Sequence, residues 1–278
     1  MADYWKEKGN ECYKKGYYDT AIEMYSKAIE KDESQSVYYC NRGKCQRMKG
    51  NYEAALKDAQ EAIELDEKNI KGHLLCGQCL AQLSKKLEPH QCQDKIELAV
   101  KKMTKALTLC SQYPDKEKAK VYERELSIYI LRAKKLQWYK NYELMKQKKL
   151  VILKNYSDYL ESTEKDQQEK ERKYTEFISL IGDPTKKLNM VIPDHLICNI
   201  TQEMIEEPVT DSAGHTYEKA CIEEHIKKNG LTDPLTREPI SDKLYKNINV
   251  KKGVDEFLAS NPWAFEFSEF QESDDIQF

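Results

Sequence analysis

The sequence has few residues that interrupt helices and no long hydrophobic run. It holds 10 glycines and 8 prolines in 278 residues, with neither between Asp115 and Ile181. Uninterrupted apolar segments are no longer than the four residues Leu150 to Leu153, whereas a membrane-spanning helix needs about 20 apolar residues. The amino-terminal residues also lack the basic and then apolar layout of a signal peptide. We therefore expect a cytoplasmic or nuclear protein without a membrane partner.

The sequence also lacks the cysteine spacing of a disulfide framework. Its nine cysteines are an odd number and are scattered along the chain, which suits a reducing compartment. Cys76 and Cys79 form a CxxC pair, but no second ligand pair lies close to it. Packing inside a helix is therefore favoured over a metal or redox role for this pair.

One sign of charge is scarce in the last third of the chain. Residues 186–278 carry 10 basic and 18 acidic side chains, and residues 264–278 carry no basic side chain. Because an end segment with uncompensated charge cannot bury enough apolar surface, we predict an acidic, disordered tail over 264–278. No cluster of basic and aromatic residues stands out, which argues against a nucleic-acid partner.

A pattern with a period of 34 residues fills the first part of the chain. Gly9, Gly43 and Gly77 are spaced at this interval, and small and aromatic residues recur around them. Paired helices cross closely only where small residues recur at the contacts, and 34 residues is the tetratricopeptide period. In the third unit the small residues Ala99 and Ala106 come ten positions late. The sequence therefore predicts a helical solenoid of three repeats over 1–113, with a ten-residue insertion at the turn of the third.

A charged segment over 114–185 follows and favours long helix, because it is dense in lysine, glutamate and glutamine. It carries two sets of regularly spaced apolar residues. The first set is predicted to cover the open end of the repeats, and the second to pack on a neighbouring helix or on a second copy of the chain. We favour a homodimer over a solvated spacer helix. The first set is Leu126, Ile130, Ala133 and Leu136, and the second is Leu144, Leu150, Leu153, Tyr156 and Leu160.

Gly182 and Pro184 end the helical region, and residues 192–263 show a different pattern. Four prolines punctuate two loops, and Gly214 marks the turn of a short hairpin over 207–217. A helix over about 218–228 and another from near Asn249 complete a small α+β domain. The whole chain is therefore predicted to be mainly α, with this domain at its C-terminal end.

The first helices of the repeats resemble the carboxylate clamp of co-chaperone tetratricopeptide domains, in Lys6-Glu-Lys-Gly-Asn10 and Tyr39-Cys-Asn41-Arg42. That family binds the acidic tails of heat-shock chaperones, and the resemblance implies that ammonium and amide donors hold the tail's carboxylates. The implied donors are Lys6, Asn10, Asn41 and Lys71. Many clamps have a basic residue where this chain has Leu75, so the apolar residues Val37, Leu74 and Leu75 are candidates for a pocket that reads side chains upstream of the peptide terminus.

Residues 192–263 resemble the U-box, the ubiquitin-ligase module that is related to RING domains but lacks their zinc. The matching segments are Ile192-Pro-Asp-His-Leu-Ile-Cys198, Glu207-Pro208-Val209, Gly214-His-Thr-Tyr217, Ile222-Glu-Glu-His225, Asp233-Pro-Leu-Thr-Arg237 and Leu244-Tyr-Lys-Asn247. This stretch has too few cysteines and histidines for two zinc ions. We predict no metal and no cofactor, although the residue count leaves open one site of Cys198, His215, Cys221 and His225. In place of metal, hydrogen bonds and salt bridges are expected from Asp194, Glu223, Glu224 and Arg237.

The U-box resemblance also implies a groove for a ubiquitin-conjugating enzyme. Ile200 and Pro234 match its apolar contacts, and Arg237 matches the basic residue that bonds both the conjugating enzyme and ubiquitin. Gln202 departs from the family, in which an apolar residue is common at this position. No covalent step is expected on this chain, so Cys198 and Cys221 are predicted to be structural.

Repeats, helical connector and U-box in this order resemble the CHIP-like co-chaperone ubiquitin ligases. The resemblance implies a transferase that docks a chaperone and directs ubiquitin onto the chaperone's misfolded client. Two alternatives remain open. One is a non-catalytic adaptor whose U-box only acts as a scaffold, and the other is a repeat domain whose basic groove binds the acidic tail, including Asp274 and Asp275.

Overall fold

The computed structural model of the chain describes residues 1–186, 188 and 190–266. These residues form helices and one small sheet, and they divide into two compact units with a boundary along the chain between Lys148 and Lys149. None of the helices in this part of the chain is both long and apolar enough to cross a membrane. The mainly α fold with a small C-terminal sheet is the predicted one.

Three helical hairpins form the first unit, as the 34-residue period predicts. They are α1 Ala2–Lys14 with α2 Tyr18–Lys31, α3 Ser36–Met48 with α4 Tyr52–Leu65, and α5 Ile70–Lys85 with α6 Pro89–Cys110. Gly16 and Gly50 end the first helices of two hairpins with positive φ angles of 78° and 80°, a conformation that glycine adopts without steric cost. The three glycines of the period lie at helix crossings: a Cβ added to Gly77 would lie 2.5 Å from Met103.

Both helices of the third repeat are longer than those of the first, whereas the sequence predicted a ten-residue insertion at the turn. Helix α5 has 16 residues against 13 in α1, and α6 has 22 against 14 in α2. The added turn of α6 is stable because it is not solvated: Cys92 is buried and packs in a core cluster with Leu87 and Leu136. The extension therefore enlarges the apolar end of the repeats.

The CxxC pair lies inside this core. Cys76 and Cys79 are both buried in α5. Burial raises the pKa of the Cys76 thiol to about 11 and that of Cys79 to about 12. Thiols that stay protonated are poor metal ligands and poor nucleophiles, so packing is the role that the structure supports.

The long helix α7, Lys116–Thr163, covers the end of the repeats with its first half. Leu126, Ile130, Ala133 and Leu136 are all buried against residues of the third repeat, as predicted. The Lys140 ammonium also donates to the Leu87 carbonyl oxygen at 3.1 Å. The apolar face that a terminal repeat would expose is thus covered by the chain itself.

Within the second unit, the end of α7 pairs with α8, Gln167–Ile181. The break between them has no proline or glycine; instead the Asp166 carboxylate caps α8 by accepting from the Gln168 N–H at 3.2 Å. Tyr156 packs on Phe177 with ring centroids 4.2 Å apart, and Leu153 and Leu160 are buried. A neighbouring helix therefore covers one part of the second apolar set.

The C-terminal domain is a three-stranded antiparallel sheet with two helices. The strands are β1 Pro208–Thr210, β2 Thr216–Glu218 and β3 Tyr245–Lys246, in the order β2-β1-β3, and the helices are α9 Lys219–Asn229 and α10 Ile248–Ser260. The predicted hairpin is present with Gly214 in its turn at φ 90°. The core comprises Cys198, Ile205, Val209, Tyr217 and Ile222.

The prediction of a disordered tail from residue 264 is wrong at its start. Residues Pro262–Ala264 form a short 3-10 turn, and Ala264 and Phe265 are buried. Apolar burial outweighs the acidic composition at these positions. The rest of the predicted tail, 267–278 with Asp274 and Asp275, lies outside the described residues.

Candidate functional site

Helices α1 and α3 bring two of the predicted clamp residues into contact. The Asn10 Oδ1 accepts hydrogen bonds from the Tyr25 hydroxyl at 2.8 Å and from the Asn41 Nδ2 at 3.4 Å. The Asn10 Nδ2 donates to Glu7 Oε2 at 3.2 Å. These bonds fix the orientation of the Asn10 amide, so its second Nδ2–H is pre-positioned for an acceptor in the groove.

The two predicted lysines differ in their surroundings. The Lys6 Nζ lies 2.9 Å from Asp3 and 3.3 Å from Glu7, and the bond to Asp3 raises the pKa of Lys6. Lys71 is exposed on α5 and has no ion-pair partner among the described residues. A peptide carboxylate would therefore compete with two internal carboxylates at Lys6 but with none at Lys71.

The predicted apolar pocket is only partly present. Val37 is exposed and Leu74 is half-buried, but Leu75 is 5% exposed and belongs to the repeat core. A Cβ added to Gly43 would lie 2.8 Å from the Leu75 Cδ2, which means that Leu75 fills the space above this glycine. Leu75 therefore cannot contact a peptide in the groove, and its predicted role in the pocket is corrected to packing.

Arg42 is a residue of this site to which sequence reasoning gave no role. Its guanidinium makes a bidentate bond to Asp58, with Nε–Oδ2 3.0 Å and Nη2–Oδ1 2.6 Å, and it donates to the Ser26 Oγ at 3.2 Å. The bond to Asp58 raises the pKa of Arg42. Arg42 thereby ties α3 to two neighbouring helices and fixes the helix that carries Asn41. The partners lie 16 residues away, so no local pattern could have indicated them.

Two loops of the C-terminal domain share one backbone geometry. In the first, the Cys198 N–H donates to the Glu203 carbonyl at 2.8 Å and the Gln202 N–H donates to the Cys198 carbonyl at 2.8 Å. In the second, the Asp233 N–H donates to the Glu238 carbonyl at 2.9 Å and the Arg237 N–H donates to the Asp233 carbonyl at 2.8 Å. Gln202 and Arg237 also share a positive φ, 59° and 62°. The two loops are thus structural equivalents, five-residue turns related position by position.

This equivalence shows that Leu235 occupies in the second loop the position that Ile200 occupies in the first, which the sequence did not reveal. Ile200 lies two positions after Cys198, and Leu235 lies two positions after Asp233. Both are exposed apolar residues, at 38% and 57%. Pro234 is half-buried and Arg237 is exposed. The predicted contact residues therefore lie at two matched loop tips, and Leu235 joins them.

A buried carboxylate holds the second loop. Asp233 is 1% exposed and accepts hydrogen bonds from the Tyr217 hydroxyl, the Leu235 N–H at 2.9 Å, the Thr236 hydroxyl at 2.8 Å and His215 Nδ1 at 2.6 Å. Burial alone would raise the pKa of the Asp233 carboxyl, but these hydrogen bonds together lower it well below its usual range. Asp233 is therefore charged in the folded domain and positions the loop that carries Arg237.

The residues expected to replace metal are not the ones that do so. Glu224 pairs with Lys228 at 2.6 Å on the surface of α9 and Glu223 lies 3.9 Å from Lys219, while Asp194 and Arg237 are exposed. Their places are taken by Asp233 and by a second buried carboxylate. The four predicted residues cannot hold the loops, because each one either pairs within its own helix or lies exposed to solvent.

The second buried carboxylate is Asp211, which is 3% exposed. Its Oδ1 accepts from the backbone N–H groups of Ala213 and His215, each at 3.0 Å. Asp211, His215 and Asp233 form the one group in the described part of the chain whose ligand atoms lie close enough to hold a metal ion.

That group is not the single zinc site that the residue count left open. Of Cys198, His215, Cys221 and His225, only His215 belongs to it. The Nε2 of His225 instead bonds the Thr232 carbonyl at 3.0 Å, and the Cys198 Sγ accepts from the Glu218 N–H at 3.3 Å. Burial raises the pKa of the Cys221 thiol, the opposite of what a nucleophile needs.

Comparisons with known proteins match both halves of the chain. Residues 192–263 match the family described as U-box domain, residues 36–69 match Tetratricopeptide repeat and residues 9–46 match TPR repeat. The chain is 37% identical over 76 residues to U-box domain-containing protein 25 of Arabidopsis thaliana. This alignment covers 27% of this chain and 18% of that protein. A solved structure of the Arabidopsis OM64 TPR domain is 29% identical with a TM-score of 0.36, covering 45% of this chain and 93% of that one.

One relative matches nearly the whole chain. It is the E3 ubiquitin-protein ligase CHIP of Arabidopsis thaliana, which is 31% identical over 281 residues and covers 95% of this chain and 96% of that protein. The match includes the repeats and the U-box in the same order, so the scaffold-only alternative is not favoured. This chain belongs to the CHIP family of U-box E3 ubiquitin-protein ligases, and it is a ubiquitin transferase.

Proposed function

We propose that this ligase takes its targets from heat-shock chaperones. The repeat groove binds the acidic C-terminal tail of the chaperone, the U-box binds a charged ubiquitin-conjugating enzyme, and ubiquitin passes to the misfolded client that the chaperone holds. The observation that carries the proposal is the Asn10–Asn41 amide pair, 3.4 Å apart, at clamp positions of a chain with a U-box.

The chemistry of the groove suits a peptide end. Neutral amides donate to a carboxylate without the desolvation cost of a buried cation, and an exposed lysine adds charge-assisted bonds and long-range attraction. Lys71 offers its ammonium without an internal partner, whereas Lys6 must leave Asp3 and Glu7. Lys71 is therefore the main source of positive charge in the proposed clamp.

Lys71→Glu is expected to weaken binding of a peptide that ends in Glu-Glu-Val-Asp by about 100-fold or more, because the new carboxylate repels those of the peptide. Calorimetry with the full chain measures the affinity. Lys68→Glu makes the same change of net charge at an exposed site before α5 and serves as the control. Equal affinity of the wild type and Lys71→Glu would contradict the clamp.

The proposed transfer step has no covalent intermediate on this chain. Ile200, Pro234 and Leu235 form the apolar contact for the conjugating enzyme, and Arg237 beside them bonds the enzyme and ubiquitin together. The thioester belongs to the bound enzyme, and the rate comes from holding it in position for attack by a lysine of the client. A reaction with purified activating enzyme, conjugating enzyme, ubiquitin, chaperone and misfolded client tests this directly, since an adaptor without ligase activity would give no ubiquitin chains.

We further propose that the helical hairpin of the second unit dimerises the protein. Exposed apolar side chains remain on α7 and α8 after the hairpin has formed. These are Val151, Ile152, Tyr159 and Leu180. Burying them against a second copy would remove this surface from water, which is the usual driving force of association.

Ile152→Asp is expected to shift the chain from dimer to monomer at micromolar concentration, because a charge cannot be buried unpaired in an apolar interface. Sedimentation velocity measures the change. Lys154→Glu, at an exposed charged position of the same helix, is expected to leave the dimer intact. A monomeric wild type would rule out this proposal without affecting the clamp.

A further inference from the structure

Two groove residues have no role in the clamp described so far. Lys44 lies on α3 one turn after Asn41, and Tyr13 lies on α1 one turn after Asn10. Residues three apart on a helix share a face, so both extend the face that carries the amide pair. The Lys44 Nζ lies 4.9 Å from the centre of the Tyr13 ring, and Lys44 is exposed.

The repeat register defines what faces Lys44 on the other side. A shift of 34 residues takes Asn10 to Lys44 and Asn41 to Leu75. Asn10 and Asn41 face each other across α1 and α3, so Lys44 and Leu75 face each other across α3 and α5. A Cβ added to Gly43, the residue before Lys44, would lie 2.8 Å from the Leu75 Cδ2, which agrees with this placement.

Leu75 is the position at which many clamps have a basic residue. The Leu75 side chain is buried in the repeat core and brings no charge to this face, whereas Lys44 is exposed. A lysine can lay its long apolar stem along a neighbouring apolar surface and keep its ammonium group in water. We propose that Lys44 supplies, from α3, the positive charge that α5 lacks at Leu75, so that the groove binds an acidic side chain of the peptide in addition to its terminus.

The surroundings of Lys44 favour this use. A tyrosine ring attracts an ammonium group while leaving its positive charge available to a ligand, and Lys44 has no ion-pair partner among the described residues. Lys6, in contrast, is paired with carboxylates of its own helix. Lys44 is thus oriented by Tyr13 and remains free to bind a peptide carboxylate.

The position of Lys44 indicates which peptide residue it reads. Side chains three apart on a helix are about 5–6 Å from each other, and an extended peptide advances about 3.3 Å per residue. Lys44 is therefore within reach of a glutamate or aspartate about two residues before the peptide end. We therefore expect the groove to prefer an acidic peptide residue at this position, whereas the sequence alone predicted an apolar pocket for side chains upstream of the terminus.

The inference rests on the proposed chaperone clamp, so its test separates the two. Four affinities are measured by calorimetry on the full chain: wild type and Lys44→Gln, each with a peptide ending in Glu-Glu-Val-Asp and with one ending in Gln-Gln-Val-Asp. Lys44→Gln is expected to weaken the glutamate peptide about fivefold to tenfold and to leave the glutamine peptide unchanged. Lys44→Arg, which keeps the charge, is expected to retain most of the affinity.

Lys27→Gln is the matched control. Lys27 is also exposed and lies 4.8 Å over an aromatic ring, that of Trp5, but it is on α2 and not on a first helix. It is expected to leave both affinities unchanged. If the wild type binds the glutamate peptide and Lys44→Gln binds it equally, or if Lys44→Gln weakens both peptides equally, the role of Lys44 is overturned and the clamp stands. If the wild type binds neither peptide, the clamp fails and this inference fails with it.

Discussion

Asp233→Asn is expected to destabilise the C-terminal domain by about 2–5 kcal/mol, because four donors around this buried side chain lose their charged acceptor. The carboxylate accepts from Tyr217, His215, Thr236 and the Leu235 N–H, and an asparagine offers one acceptor oxygen in its place. Domains are typically stable by only about 5–15 kcal/mol. The loss would therefore remove a large part of the stability of this domain.

Urea unfolding of the full chain, followed by hydrogen exchange resolved along the sequence, measures this loss in the residues of the U-box. Asp242→Asn serves as the control, because Asp242 is an exposed aspartate of the same domain. The control is expected to stay within about 0.5 kcal/mol of the wild type. A U-box equally stable with and without the Asp233 carboxylate would show that the hydrogen bonds do not hold the domain.

The effect of Asp233 depends on pH in a defined direction. Its pKa is lowered in the folded domain, so the group stabilises the fold fully above its unfolded pKa, which is about 3.9. This stabilisation is lost as the pH falls from about 4 toward the lowered folded pKa. The difference in unfolding free energy between wild type and Asp233→Asn is therefore expected to be largest above about pH 5 and to shrink below pH 4.

Arg237→Ala is expected to reduce ubiquitin transfer by about 100-fold, the usual cost of removing a group that fixes the reacting pose. In our proposal the guanidinium bonds the conjugating enzyme and ubiquitin at once, which an alanine cannot do. The side chain is exposed, so the domain should keep its stability. Rates of chain formation in the reconstituted reaction, with conjugating enzyme at saturation, measure the effect.

Gln202→Ala is the matched control for Arg237→Ala. The two residues occupy equivalent places in the two loops, with the same backbone hydrogen bond and nearly the same φ. Any backbone effect of alanine at such a position should therefore appear in both variants. If Gln202→Ala and Arg237→Ala slow transfer equally, the effect is one of loop structure, and the proposed role of Arg237 is wrong. Cys221→Ala is expected to retain activity.

The sequence by itself determined the arrangement of the repeats. Gly9, Gly43 and Gly77 recur because helix pairs cross where a side chain would not fit, and this requirement repeats at every unit. The late Ala99 and Ala106 likewise revealed that the third repeat is longer than the other two. Such features follow a local period, so the order of residues is enough to find them.

Residues whose role depends on distant partners could not be predicted in this way. Arg42 is such a residue, because its guanidinium bonds Asp58 and Ser26, each 16 positions away. The strand β3 is two residues long and exists by pairing with β1, more than 30 positions away. Short elements of this kind have no period of their own.

Only the tertiary structure decided which candidate residues can act. It buried Leu75 in the repeat core and left Lys44 exposed, and it showed that Leu235 and Ile200 occupy matched loop tips. It also selected Asp233 as the group that holds the second loop. The physical reason is the same in each case: a side chain's burial and its partners are set by packing between segments that are far apart in the chain, and those contacts exist only once the domain has folded.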